Sequence, residues 1–181
     1  MYSLYIDTHF NEVVLKLFKD KEIIDTLINE ENYQSMVTMP SLEEILKRNN
    51  IEIKDINEIL TIIGPGSFTG VRIGVTIAKM LAHTLNIPIK KQDYLQLMSY
   101  HTDLNYVSIP DNNGAFVGKF IEKEKQEEYK YYKKEDYIIL KTKNKVLEKI
   151  ELDDSIIIKS FEKIDYETSH TINPLYIKNI W

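Results

Sequence analysis

Four of the six glycines fall in one short stretch, Gly64-Pro-Gly-Ser-Phe-Thr-Gly-Val-Arg-Ile-Gly74, directly after the apolar run Ile59-Leu-Thr-Ile-Ile63. Glycine this dense, where an apolar run gives way to a helical pattern, marks a turn that needs special backbone angles or a close approach. The pattern predicts a buried strand over 56–63 and a long helix over 67–85, stopped by Asn86 and Pro88. It is not a phosphate-binding loop. That motif needs Lys after a glycine five places beyond the first, and here Thr69 stands in that place, followed by Gly70. The dinucleotide fingerprint fails as well, because Gly64, Gly66 and Gly70 leave the last gap one residue too long.

Along the helix, Gly66, Gly70, Gly74, Ala78 and Ala82 recur at every fourth position and use two of the three alanines in the chain. Helix ridges follow this spacing, so the row is a groove into which another element can pack closely, flanked by Ile73, Ile77, Leu81 and Leu85. Glycine costs about 1 kcal/mol against alanine inside a helix, so Gly70 and Gly74 forgo about 2 kcal/mol that tight packing has to offset. Such a groove serves either the helix's own sheet or a partner. Charge favours a partner: from Ile59 to Gln92 there is no acidic residue, only Arg72, Lys79, Lys90 and Lys91, within a chain whose net charge is −5. Arg72 and Lys79 are expected on an exposed margin beside the groove.

With 181 residues, 43% of them hydrophobic, the chain suits one ordinary domain or two small lobes. The absence of cysteine excludes thiol chemistry, zinc ribbons and disulfide scaffolds. The histidines, His9, His83, His101 and His170, never fall at a paired ligand spacing, so neither a metal site nor a cofactor is expected. The acidic balance argues against a broad basic face for nucleic acid. Met1 to Asp7 carries no export signal and no stretch is long enough to span a bilayer, so a cytoplasmic location without membrane contact is expected.

Residues 2–6, 12–18 and 22–28 read as an antiparallel meander turned at Lys19-Asp20-Lys21. A helix ends near Asn49. Ser41 and Glu44 form a capping-box pattern for its start, and a start near Tyr33 with a bend at Pro40 is the alternative. After a strand over 87–91 and a helix over 94–101, the texture changes. Strands are expected over 106–109 and 115–121, joined through Asp111-Asn-Asn-Gly114, whose Asn-Gly step suits positive backbone angles. Further strands are expected over 129–143 and 155–159, and 173–178 forms a tail. The division follows: a first lobe over 1–101 and a reduced second lobe over 102–181.

Other candidates for chemistry are few. Asp7-Thr8 ends the first strand without a following glycine, which suits an Asx-type turn rather than a phosphate wrap. His9 has no partnered carboxylate or nucleophile motif and reads as a surface or capping residue. Tyr129, Tyr131, Tyr132 and Tyr137 read as alternation on a charged hairpin, with stacking on RNA as the alternative.

The glycine-rich stretch, continued through Ala78-Lys79 to Leu85-Asn-Ile-Pro88, closely resembles the signature of bacterial TsaB proteins. The likeness extends upstream through Ile6-Asp7-Thr8, the 35–46 helix with Pro40, and the 56–63 strand, and returns in Pro174-Leu-Tyr-Ile-Lys178. One departure stands out: where the family commonly opens a second-lobe hairpin with Asp-Ala-Arg, this chain has Ile109-Pro-Asp-Asn-Asn-Gly114 and lacks the basic residue.

The resemblance implies an α/β fold of the actin-like and sugar-kinase superfamily, with a ribonuclease-H-like first lobe, a mixed sheet and flanking helices. It also implies a non-catalytic role. TsaB proteins pair with the catalytic subunit TsaD in making threonylcarbamoyladenosine beside the anticodon of tRNA, together with the ATPase TsaE. Contact with tRNA is then indirect, and the two main helices bundle with the matching pair on TsaD. The interface is accordingly expected at Gly66, Gly70, Arg72, Ile73, Gly74, Ile77, Ala78, Lys79 and Leu81. The alternatives are a nucleotide-dependent enzyme of the same superfamily and a structural protein that pairs with itself through the same helices.

Overall fold

The computed structural model describes residues 1–31 and 33–177; Lys178, the last residue of the tail motif, lies outside them. The expected meander forms as β1 (Tyr2–Asp7), β2 (Val13–Lys19) and β3 (Glu22–Asn29). Asp20 and Lys21 both take positive φ, 50° and 72°, the twist that a two-residue hairpin requires. Two further strands, β4 (Ile56–Ile62) and β5 (Ile89–Gln92), run parallel to β1 and complete a mixed sheet in the order β3-β2-β1-β4-β5.

This sheet is covered on both faces, and the alternation of side chains along each strand feeds two cores. Leu4, Ile6, Leu15, Leu17 and Ile59 enter the first core. Tyr5, Val14, Phe18, Leu60 and Ile62 enter the second. Over the first face lie α1 (Gln34–Arg48) and α2 (Phe68–Leu85), in contact with each other. The capping box expected at Ser41 does not form. The helix starts at Gln34 and runs through Pro40, while Ser41 is buried in its interior and accepts a hydrogen bond from Asn29 at 3.2 Å. Packing of Leu42, Ile45 and Leu46 on the sheet outweighs the backbone hydrogen bond that Pro40 forgoes.

After α3 (Tyr94–Ser99) come β6 (Tyr106–Pro110), β7 (Gly114–Ile121), β8 (Glu124–Lys125), β9 (Lys130–Lys133), α4 (Lys134–Lys143), β10 (Val146–Leu147) and α5 (Asp154–Glu162). Of these, α3, α5 and one side of the strands cover the second face, while α4 packs with Ala115 and Val117 in a separate cluster. The strands form a second mixed sheet, β10-β6-β7-β8, with β9 also paired to β7. Two expected strands prove to be helical. Only the start of 129–143 is extended. From Lys134 onward, acidic Glu135 and Asp136 in the first turn and Lys141 and Lys143 in the last complement a helix dipole, while Tyr137 and Leu140 pack three residues apart. Likewise 155–159 is helix, capped by the Asp153 carboxylate on the Ser155 amide at 2.8 Å, and its buried Ile157 and Phe161 are spaced four apart.

The Asp111-Asn-Asn-Gly114 turn also departs from expectation. None of its residues has positive φ; instead the Asp111 carboxylate accepts the amides of Asn113 at 2.7 Å and Gly114 at 2.8 Å. The tail crosses back over the division at residue 101. Glu167 donates its amide to Ile89, Leu175 donates to Ile63 at 2.8 Å, and Ile172 is wholly buried in the first core.

Candidate functional site

The strand-turn-helix junction holds the loop between β1 and β2 against the start of α2. Gly64 takes a φ of +100°, which favours glycine. Ser67 caps α2, accepting the Gly70 amide at 3.2 Å, and donates its own amide to the His9 carbonyl at 2.7 Å. Thr8 Oγ1 donates to the Gly70 carbonyl at 2.6 Å. From the other side, Gln34 Nε2 of α1 donates to the carbonyls of Thr8, Phe10 and Glu12. The loop is therefore pinned by both helices.

The small-residue row faces this loop. A Cβ on Gly66 would overlap the His9 carbonyl, one on Gly70 the Thr8 carbonyl, and one on Gly74 the Thr8 hydroxyl. Ala78 and Leu81 are buried in the first core. Five residues expected at a partner interface, Gly66, Gly70, Gly74, Ala78 and Leu81, thus pack within their own lobe. The close approach that the four-residue spacing foretold is met by Thr8, His9 and the sheet.

Asp7 is buried and forms the expected Asx-type turn, its Oδ1 accepting the His9 amide at 3.0 Å. The same oxygen lies 2.5 Å from His9 Nδ1, and Tyr5 donates its hydroxyl to Oδ2 at 3.0 Å. Burial alone pushes the Asp7 carboxyl up, but the adjoining His9 charge and hydrogen bonds, with that of Tyr5, bring it below the usual carboxylate value. His9 is no surface residue. It is 2% exposed, with its ring between Phe10, centroids 3.8 Å apart, and Tyr94, 4.0 Å apart. Nε2 has no hydrogen-bond partner among the described residues, so the Asp-His pair has no nucleophile within reach. Both oxygens of the carboxylate are engaged by the chain itself, and the loop carbonyls are turned to Gln34. The arrangement is an internal knot rather than a phosphate wrap.

The outer surface of the two helices is different. Arg72 is exposed, Ile73, Ile77 and Lys79 are half-buried, and the margin carries Met36 at 71%, Met39 at 42% and Met80 at 49% exposure. Beside it, a groove of about 780 Å³ is lined by Met39, Pro40, Leu42, Leu46, Ile53 and Leu81. Sequence reasoning missed the methionines. Their signal was Met36 and Met39, three apart, with Met39 continuing at i+3 and i+7 into Leu42 and Leu46, so that the apolar stripe runs out to an exposed edge of the helix. Arg72 also has an internal role: its guanidinium stacks 3.6 Å from the Phe68 ring centroid, and its Nε donates to the Tyr176 hydroxyl at 2.9 Å.

The tyrosine cluster serves the second sheet. Tyr131 packs edge-on to Phe116 and donates to Asp111, and the Tyr137 hydroxyl meets Ser108 and Glu148.

Comparison with known proteins bears on this geometry. Residues 31–110 match the family model for TsaD, tRNA N6-adenosine threonylcarbamoyltransferase, a stretch that contains both α1 and α2. The tRNA threonylcarbamoyladenosine biosynthesis protein TsaB of Bacillus subtilis is 36% identical over 101 residues, covering 55% of this chain and 44% of that protein. The protein MG208 of Mycoplasma genitalium is 26% identical over 98% of this chain and 95% of its own length. In structure, YeaZ from Pseudomonas aeruginosa has a TM-score of 0.75 at 15% identity, over 97% of this chain and 99% of that one, a likeness of fold. The chain spans less than half the length of the curated TsaB relatives it matches.

Proposed function

We infer that this chain is a TsaB-family protein and serves tRNA threonylcarbamoyladenosine biosynthesis as the non-catalytic subunit that holds the transferase TsaD, a reading supported by its likeness to TsaB proteins. The observation that carries this reading is the outer face of α1 and α2, where Met36, Met39 and Met80 stand exposed beside an apolar groove on a sheet otherwise covered on both sides. Methionine adapts to irregular apolar surfaces, and an exposed cluster of this kind marks a protein contact. The occupant is the corresponding helix pair of TsaD, and without TsaD a second copy of this chain occupies the same face. Arg72, Ile73, Ile77 and Lys79 belong to this contact and Leu81 lines its groove, while Gly66, Gly70, Gly74 and Ala78 support it from behind.

The non-catalytic role is supported by the Asp7 knot, which engages both carboxylate oxygens inside the chain. TsaE and tRNA join through the larger complex. Among the described residues no helix is long and apolar enough to cross a membrane, and the cytoplasm is the compartment this role requires.

The test is association with TsaD from the same organism, followed by size and light-scattering measurement and a tRNA-modification assay. Met36→Glu combined with Met80→Glu, both at exposed positions, is expected to leave the melting temperature of the free chain nearly unchanged. It should weaken the complex at least tenfold, about 1.4 kcal/mol. Undiminished binding by the double variant would remove this face from the contact.

A further inference from the structure

We propose that His83 and His170 form a two-imidazole site for a divalent transition-metal ion that joins the C-terminal tail to the end of α2. The two positions are remote in sequence, which is why ligand spacing could not reveal them, but the fold sets their ring centroids 5.3 Å apart at an interplanar angle of 62°. Metal–nitrogen distances of about 2.0–2.1 Å at a near-tetrahedral angle place two bound imidazole centroids roughly 5 Å apart. The observed separation matches.

Both rings stand on a fixed frame. His83 lies in the last turn of α2, which Asn86 closes in the left-handed conformation with its amide on the Ala82 and His83 carbonyls. His170 lies in a turn anchored on both sides. Before it, Glu167 donates its amide to Ile89 at 2.9 Å, and its carboxylate pairs with Lys91 at 2.9 Å and accepts from Thr171 at 2.9 Å. After it, Ile172 is wholly buried. Both imidazoles are exposed, and neither has a hydrogen-bond partner among the described residues. A cation here also sits at the C-terminal end of α2, where the helix dipole favours positive charge.

Among the described residues, no group of three histidine or carboxylate side chains converges, so water completes the coordination. Two neutral imidazoles without carboxylates select zinc, nickel or copper over magnesium or calcium, which prefer oxygen ligands. The ion would bind only the folded chain, because the unfolded chain does not bring positions 83 and 170 together.

The experiment uses the full chain without a histidine tag, stripped with a chelator and titrated with zinc, nickel or magnesium chloride, with calorimetry and thermal melting as readouts. The expected result is one saturable site for zinc and nickel, a melting temperature that climbs with the logarithm of metal concentration, and no response to magnesium. His83→Ala and His170→Ala should each lose the saturable site while keeping the metal-free melting temperature of the parent. Absence of binding by the parent overturns the proposal. So does metal binding that survives either substitution, which would make it adventitious.

Discussion

The hydroxyl of Thr8 donates to the carbonyl oxygen of Gly70 across 2.6 Å of buried space, so the backbone of β1's loop and that of α2 meet where a side chain on the helix would stand. This contact decides the direction of the small-residue row. A four-residue repeat of glycine and alanine announces that something approaches closely; it carries no information about whether that element belongs to the same chain.

The two opposing effects at Gly70 and Gly74 can be weighed. Replacing helical glycine with alanine gains about 1 kcal/mol of propensity. At Gly70 the new Cβ would overlap the Thr8 carbonyl, which is held in place by Gln34, and overpacking of this kind costs about 1–3 kcal/mol. Gly70→Ala is therefore expected to lower the melting temperature of the isolated chain, and so is Gly74→Ala, because its Cβ displaces the Thr8 hydroxyl and breaks the bond to the Gly70 carbonyl. A stabilised Gly70→Ala variant in a thermal melt would show that the loop yields.

Much of the first lobe was legible because its signals are local: an apolar run before glycines, alternation in the meander, Asn86 and Pro88 after the long helix. The candidate site was less so. His9 reads as a lone residue in sequence, and its burial comes from Tyr94 and the start of α2, which no local pattern connects to it. Two helices were mistaken for strands because tyrosines 129, 131 and 132 and the run Ile156-Ile-Ile158 satisfy an extended pattern. The exposed methionines of α1 were hidden in a polar stretch, and the meeting of His83 with His170 depends on how the tail returns.

The buried carboxyl of Asp7 and the half-buried one of Asp93 should act in opposite senses on acid stability. Burial raises the Asp93 carboxyl above its usual value, offset in part by the Gln96 amide, so the folded state takes up this proton first and stability gains as pH falls through that raised value. Asp7 lies below the unfolded value, so its contribution is complete above about pH 4 and is lost as pH falls through its lowered folded value. Melting temperature followed from pH 7 to 3 should show Asp93→Asn removing the gain and Asp7→Asn removing the later loss. A Tm profile left unchanged by Asp7→Asn would contradict the buried pair with His9.

Arg72 should matter to the free chain as well as to a partner. Its stack on Phe68 and its bond to Tyr176 tie the tail to α2, and an exposed cation–π contact is worth about 0.5–1 kcal/mol. Arg72→Ala is expected to destabilise the chain by about 1 kcal/mol and to speed hydrogen exchange of the Leu175 amide, which bonds to Ile63. Exchange unaltered at Leu175 would separate the stack from the tail's anchorage.

Lys16 and Asp154 join the first sheet to α5 at 2.5 Å, but they are unequally buried, with side chains 9% and 33% exposed. Removing one partner of a buried pair costs most when the ion left behind is the deeper one. Asp154→Ala strands the ammonium and is expected to cost roughly 2 kcal/mol, whereas Lys16→Met leaves a carboxylate that water reaches and replaces the charge with apolar contact, costing roughly 1 kcal/mol or less. Equal losses in denaturant melts would mean that Lys16 gains water when its partner goes.

The last expectation concerns the division at residue 101. A fragment of residues 1–101 retains every strand of the first sheet, but it loses the cover over one face of that sheet and the plug of Ile172 in the other core. Tyr5 packs edge-on to Phe161 of α5 at 6.1 Å, and Phe18, Leu60 and Ile62 share that core. Uncovering a large apolar side chain costs about 1.5–3 kcal/mol, so exposing even part of this group consumes most of the 5–15 kcal/mol that stabilises a typical domain. The short α3, which the fragment keeps, covers only part of the face. The fragment is therefore expected to lack a cooperative melt and to bind a hydrophobic dye, while the full chain melts in one transition. A sharp, reversible melt of the fragment would establish the first lobe as self-sufficient and reduce the returning tail to an accessory strap.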